Sequence, residues 1–165
     1  MAKSQSNYPP MKFQRLSDFA AKAISTVFFI GYLPLVPGTF GSIAGVGLFY
    51  LLKGATGVTY ILFIVGIIAL GLITSGRTEK LLNKKDPGCI VIDEVAGMLI
   101  ALSFMPYDLR IVFLAFLIFR ILDTLKPFPA AGLQNRPGAA GVMGDDLVAG
   151  IYTNIVLQII LKLAY

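Results

Sequence analysis

VTYILFIVGIIALGLITS, residues 58–75, runs for 18 positions without a charged side chain. At about 1.5 Å per residue such a helix covers roughly 27 Å, close to the hydrocarbon thickness of a bilayer. The composition around it agrees. Of 165 residues, 56% are hydrophobic and 14% charged, against roughly 25% charged in ordinary soluble domains. With a mean hydropathy of +0.79, a chain this small has more apolar surface than a water-soluble core can hide. Disorder is excluded, because disordered chains are depleted in the residues abundant here. The predicted fold class is all-α, a small polytopic helical membrane bundle.

Working outward, residues 1–12 read as a disordered lead with Pro9 and Pro10, and 13–165 as a single helical membrane domain. From 13 to about 30 the pattern is helical and amphipathic. Leu16, Phe19, Ala20, Ala23, Ile24, Val27 and Phe28 share one face, and Arg15, Asp18, Lys22 and Ser25 fall largely on the other. That pattern predicts an N-terminal helix lying in the membrane interface. LPLVPGTFGS (33–42) breaks it, and a glycine-rich helix follows at about 41–53. A polar segment at 76–88 separates the 58–75 span from an apolar run at 89–105. Further helices are expected at 109–124 and 145–164, joined by a Gly/Pro-rich loop. The helix at 41–53 is short for a 30 Å core and requires tilt, deformation or re-entry.

Basic residues orient these crossings. Four precede residue 23 and four lie in 77–85, so both segments are expected on the cytoplasmic side of an inner membrane. The net charge of +5 sits beside hydrophobic runs, not among aromatics on a polar surface. Anionic lipid therefore fits better than nucleic acid as a partner. No secretory signal is apparent and no obligate protein partner is evident.

Composition also removes chemistries. With no histidine there is no imidazole base, no Ser-His-Asp triad and no His nucleophile. The lone Cys89 lacks the downstream arginine of a thiol phosphatase loop. The nine acids thus become conspicuous wherever they fall in apolar stretches. Asp93 and Glu94 lie in one such run, Arg120 and Asp123 end another, and Asp145 and Asp146 open the last. The predicted topology brings all of these to one membrane face. Individually, Asp145 and Asp146 could be helix caps, and Arg120 with Asp123 an i,i+3 ion pair. Jointly, five acids at one depth would repel one another unless a cation compensates. Oxygen ligands without histidine point to a hard cation, Mg²⁺ first, with Asp93, Glu94, Asp123, Asp145 and Asp146 as candidate ligands. Arg120 and Lys126 supply positive charge for a phosphate, and Gly38, Thr39 and Ser42 offer backbone amides and hydroxyls.

Read together, LPLVPGTFGS, VIDEVAGM, FRILDTLKPFP and GVMGDDLVAG, in order from residue 33 to 150, resemble the phosphatidylglycerophosphatase A family of bacterial lipid phosphatases. The resemblance implies Mg²⁺-dependent hydrolysis of phosphatidylglycerophosphate to phosphatidylglycerol and phosphate. On that reading Asp93, Glu94, Asp123, Asp146, Arg120 and Lys126 are the catalytic candidates. Spacing leaves open whether a metal-activated water or a carboxylate attacks phosphorus, though the former needs no histidine. A small ion transporter would place its acids near the bilayer midplane, whereas these lie near predicted helix ends. A noncatalytic lipid-binding protein would need the basic residues but not this density of acids.

Cys89 precedes the acidic pair and has no arginine partner, so Cys89→Ser should retain most activity. Near-complete loss of turnover in a normally folded variant would contradict this.

Overall fold

The computed structural model describes residues 12–134, 136 and 138–164. Seven α-helices and one short 3-10 turn make up the fold, with no strand among the described residues. They are α1 (Lys12–Ser25), α2 (Pro37–Leu51), α3 (Gly57–Leu82), α4 (Ile92–Ala101), α5 (Leu109–Leu125), α6 (Ala130–Gln134) and α7 (Ala139–Ala164). The expected lead over 1–12 lies outside the described residues, apart from Lys12.

Local chemistry sets the boundaries, and several differ from those expected. α1 stops at Ser25 because Val27, Phe28 and Phe29 turn the chain with φ of 49, 51 and 69°. It packs along α3, tied by Arg77 to Asp18 at 2.6 Å and by the Ser25 and Thr78 hydroxyls at 2.9 Å. α2 begins at Pro37, whose missing N–H costs nothing in a first turn. The Pro-Gly-Thr stretch is therefore helix, not connection. α3 starts on Thr56, whose hydroxyl accepts from the Thr59 N–H, and continues through the polar residues 76–82 to a left-handed Asn83. α7 begins at Ala139, six residues before Asp145. Among the described residues α3 and α7 are long and apolar enough to cross a membrane.

α4 departs most from expectation. The apolar run 89–105 reads as a crossing, but its helix has ten residues, about 15 Å, half a hydrocarbon core. It is instead the centre of the bundle, packed by α2, α3, α5 and α7, with Val95, Ala96, Met98 and Leu99 wholly buried. A helix ending inside such a bundle must have its last carbonyls satisfied by protein. Asn154 of α7 donates to the carbonyls of Ile100, Ala101 and Ser103. The Tyr60 hydroxyl of α3 donates to Leu99 O at 2.8 Å.

Close approach holds α4 in place. A Cβ on Gly45 would lie 2.8 Å from Met98 Cβ, and one on Gly97 would lie 2.6 Å from Asp146 O. Gly150 meets the Gly97 carbonyl with no room for a side chain. Overpacking at such a crossing costs about 1–3 kcal/mol. Gly150→Ala should therefore lower stability by about that amount in thermal unfolding, with shifted helices. Gly66→Ala, whose Cβ meets nothing, should not; equal stability of the two variants would count against this packing.

Candidate active site

The N-terminal end of α2, the N-terminal end of α4, the C-terminal end of α5 and the second and third turns of α7 meet at one end of the bundle. α4 opens without a side-chain cap on Val91. Instead the Asp93 carboxylate accepts the Glu94 N–H at 3.1 Å, a favourable place for negative charge at a helix start. Asp93, Asp145 and Asp146 are 6%, 5% and 4% exposed. Since α7 starts at Ala139, Asp145 and Asp146 lie inside the helix and cap nothing. That removes the capping alternative for this pair.

Two ion pairs divide the acids. Arg120 lies 2.8 Å from Asp123, and Lys126 lies 2.5 Å from Asp145. Asp93, Glu94 and Asp146 remain, and each offers a carboxylate oxygen within 4.8 Å of the others. No salt bridge reaches these three among the described residues. An octahedral Mg²⁺ site places its oxygens roughly 3–4 Å apart, so small side-chain adjustments would let the three acids hold such an ion. Asp123 adjoins Asp146 but falls outside the trio. Of the five candidate ligands, then, three converge and two are engaged by cations.

The cations are positioned by their own constraints. Lys126 is the left-handed C-cap of α5, with φ 46° and its N–H on Leu122 O. This turns the chain back so that Nζ reaches Asp145. Burial opposes its charge, but the hydrogen bond to Asp145 and the nearby carboxylates outweigh that and raise its pKa above the usual value. It is a full cation at neutral pH. Arg120 Nη1 is buried and makes no hydrogen bond despite its ion pair, and neither does Glu94 Oε2. Buried polar atoms without partners are rare and mark a place where a ligand can complete the network.

Gly38 sits against both orphaned groups. A Cβ there would collide with Glu94 Oε1 and lie 3.2 Å from Arg120 Nη1. Gly38 thus belongs to the site for a steric reason, while Thr39 follows it on the first turn of α2, half-buried. Ser42 is fully buried and donates to its own helix at Gly38 O, 3.0 Å away.

One residue escaped the sequence reading, which treated 76–88 as a polar spacer. Asp86 has φ 45° immediately before Pro87, a strained conformation for both reasons. Its N–H donates to Glu79 Oε1 at 2.8 Å and its Oδ2 accepts from Gln134 Nε2 at 3.2 Å. So held, it lies within electrostatic reach of Asp93 and Asp145. The available signal was an Asp-Pro-Gly turn seven residues before the acidic pair.

Fold and site together define a helical membrane protein with a buried carboxylate centre flanked by an arginine and a lysine, suited to phosphate chemistry. A family profile described as phosphatidylglycerophosphatase A matches residues 23–161. The chain belongs to the phosphatidylglycerophosphatase A family, and is an enzyme of the phosphatase class. It is 39% identical over 132 residues to the phosphatidylglycerophosphatase A of Escherichia coli K12, covering 79% of this chain and 77% of that one. The Haemophilus influenzae protein of the same name is 33% identical over 154 residues, 92% of this chain and 93% of that one. A Bacteroides thetaiotaomicron protein, provisionally named a phosphatidylinositol-3-phosphatase, is 33% identical over 150 residues, 86% of this chain and 94% of that one. No solved structure matches the chain.

Gly38→Ala tests the cradle. The methyl must displace Glu94 or Arg120, and misplacement by about 1 Å at a reacting centre costs on the order of 100-fold in rate. The expected result is that loss with an unchanged unfolding temperature; wild-type turnover would remove Gly38 from the site.

Proposed function

We propose that this enzyme hydrolyses the terminal phosphomonoester of phosphatidylglycerophosphate, giving phosphatidylglycerol and inorganic phosphate, with Mg²⁺ held by Asp93, Glu94 and Asp146. The observation that carries this reading is the division of the acids. Two are paired with Arg120 and Lys126, and the three that no salt bridge reaches among the described residues are the three that converge. Family membership supports the reaction. The basic segments at 1–22 and 77–85 support a multi-pass arrangement in the inner membrane with the site on the cytoplasmic face. The exposed Leu16 and Phe19 of α1 support its lying in the interface.

In the reaction a water oxygen forms a new bond to phosphorus, the ester bond to the glycerol oxygen breaks, and that oxygen takes up a proton. Bound Mg²⁺ would supply electrostatic stabilisation of the phosphoryl oxygens and lower the pKa of an attacking water. Arg120, anchored by its ion pair with Asp123, would hold two phosphate oxygens with its guanidinium fork. Lys126 adds a point charge against the developing negative charge, and Asp145 fixes its direction. Gly38 leaves the space the phosphate occupies, and Thr39 orients its oxygens.

Phosphate release from the lipid in mixed micelles tests this. Activity should require Mg²⁺ and vanish in excess EDTA. Asp→Asn at 93, 123 or 146 should each cost at least ~100-fold, about 2.7 kcal/mol of transition-state stabilisation. Lys162→Gln, at the opposite end of α7, is the control. Full turnover by metal-stripped enzyme, or near wild-type rates in the folded Asn variants, would sink the shared-site reading. The name of the Bacteroides relative raises a second substrate, the 3-phosphate of an inositol lipid. A higher kcat/KM on that lipid than on phosphatidylglycerophosphate would select it.

A further inference from the structure

Between α2 and α3 the bundle is open. These helices are consecutive in the chain but splayed, each packing on α4. The gap holds a cavity of about 480 Å³. Ala44, Gly47 and Leu51 line it from α2, and Phe63, Ile67 and Leu70 from α3. Ile92 and Val95 of α4 complete the wall, with Ile24 from α1 and Val27 and Ile30 from the α1–α2 connection. Every lining residue is apolar, so nothing there would hold water. In a bilayer hydrocarbon fills such a space.

Its shape and position identify the hydrocarbon. From Ala44 to Leu51 the groove follows α2 for about 10 Å, and from Leu70 to Phe63 it follows α3 as far, along the helix axes, as an acyl chain lies. Ile92 and Val95 belong to the first turn of α4, the same turn that carries Asp93 and Glu94 on another face, so the groove ends at the depth of the acids without including them. Gly31, next to Ile30, lines a second cavity of about 500 Å³ with Pro37 and Lys84. There a cation stands beside the first turn of α2, matched to the anionic glycerophosphate that joins acyl chain to headgroup.

We infer that the α2–α3 groove binds one acyl chain of the phospholipid whose terminal phosphate occupies the Asp93–Glu94–Asp146 centre. This rests on the proposed phosphatase reading and adds the chain-recognition site to it. The groove positions substrate and does no chemistry, so it acts on KM.

Gly47 gives a clean test, since a Cβ there meets nothing within 4 Å and replacing a helical glycine does not weaken the helix. Gly47→Phe projects a ring into the groove. Ala69→Phe, at an exposed position of α3 outside the lining, is the control for added bulk. For the dipalmitoyl substrate, Gly47→Phe should raise KM about tenfold, the loss of roughly two buried methylenes, with kcat unchanged. Dihexanoyl substrate should be hydrolysed as by wild type. Equal losses on both lipids, no loss on either, or a changed oligomeric state would overturn the proposal. A readout independent of turnover is cross-linking by a phosphatidylglycerophosphate carrying a diazirine on one acyl chain. It should label residues 44–51 and 63–70 more than a phosphatidylcholine with the same chain does. Equal labelling would make the groove an ordinary lipid contact. Were wild-type enzyme inactive on both substrates, the phosphatase reading would fail, and the cross-link would still decide the groove.

Discussion

Asp93 and Glu94 are held in the protein interior, at one end of the bundle, by a helix only ten residues long, and holding charge there is the constraint the rest of the structure serves. A carboxylate in an apolar segment costs several kcal/mol even when partly relieved. α4 meets part of that cost by placing the pair in its first turn, where the helix field favours negative charge. A helix spanning the bilayer could not put its start and its end so far inside protein. α4 can, because Asn154 and Tyr60 take over the hydrogen bonding of its last turn. Glycines at 45, 97 and 150 then let α2 and α7 close on it at backbone distance. The small residues are thus coupled to the charges. Without close approach Asp146 could not stand beside Asp93, and without α4 the approach would serve nothing.

Pairing, rather than proximity alone, sorts the charged groups. Lys126 reaches Asp145 only because the chain turns through a left-handed residue at the end of α5. Arg120 leans on Asp123 one turn along the same helix and keeps both terminal nitrogens of its guanidinium beside Gly38. Each cation is fixed by one acid and remains directed toward the space the other acids surround. An anion entering that space would meet cationic groups already oriented, and a cation would meet three carboxylates that no salt bridge engages among the described residues. Preorganised charge of this kind does not have to be rearranged as the reaction proceeds.

How far the sequence carried this reading depended on the kind of signal. Charge-free runs and acids misplaced in apolar stretches are local and strong, so the helical class, the membrane and the convergence of Asp93, Glu94 and Asp146 were legible. Helix limits were not. Polar residues 76–82 extend α3 because a helix may continue beyond the apolar layer, and the apolar run 89–105 yields a short α4 because its far end is capped by distant side chains. Nothing near Ile100 announces Asn154. Asp86 was overlooked for a related reason: its position follows from Glu79 and Gln134, which meet it only in three dimensions. Gly38 was noted as a turn residue offering backbone amides, while its steric role against Glu94 and Arg120 depends on how α2 meets α4 and α5.

The site's place at one end of the bundle suits the proposed reaction, because a lipid phosphatase acting there would not have to extract its substrate. α3 carries its polar last turns beyond the apolar span, α5 ends there in Arg120 and Lys126, and α7 turns in its acids just inside. Lys53, Arg110 and Lys162 mark the other end. On the proposed reading, a phosphomonoester at the headgroup level would meet the carboxylate centre while its acyl chains stay among the helices. The apolar gap between α2 and α3 continues that geometry inward from Ile92. α4 is nearly all buried because α2, α3, α5 and α7 surround it, and it carries the chain from the site end toward the end where α5 begins.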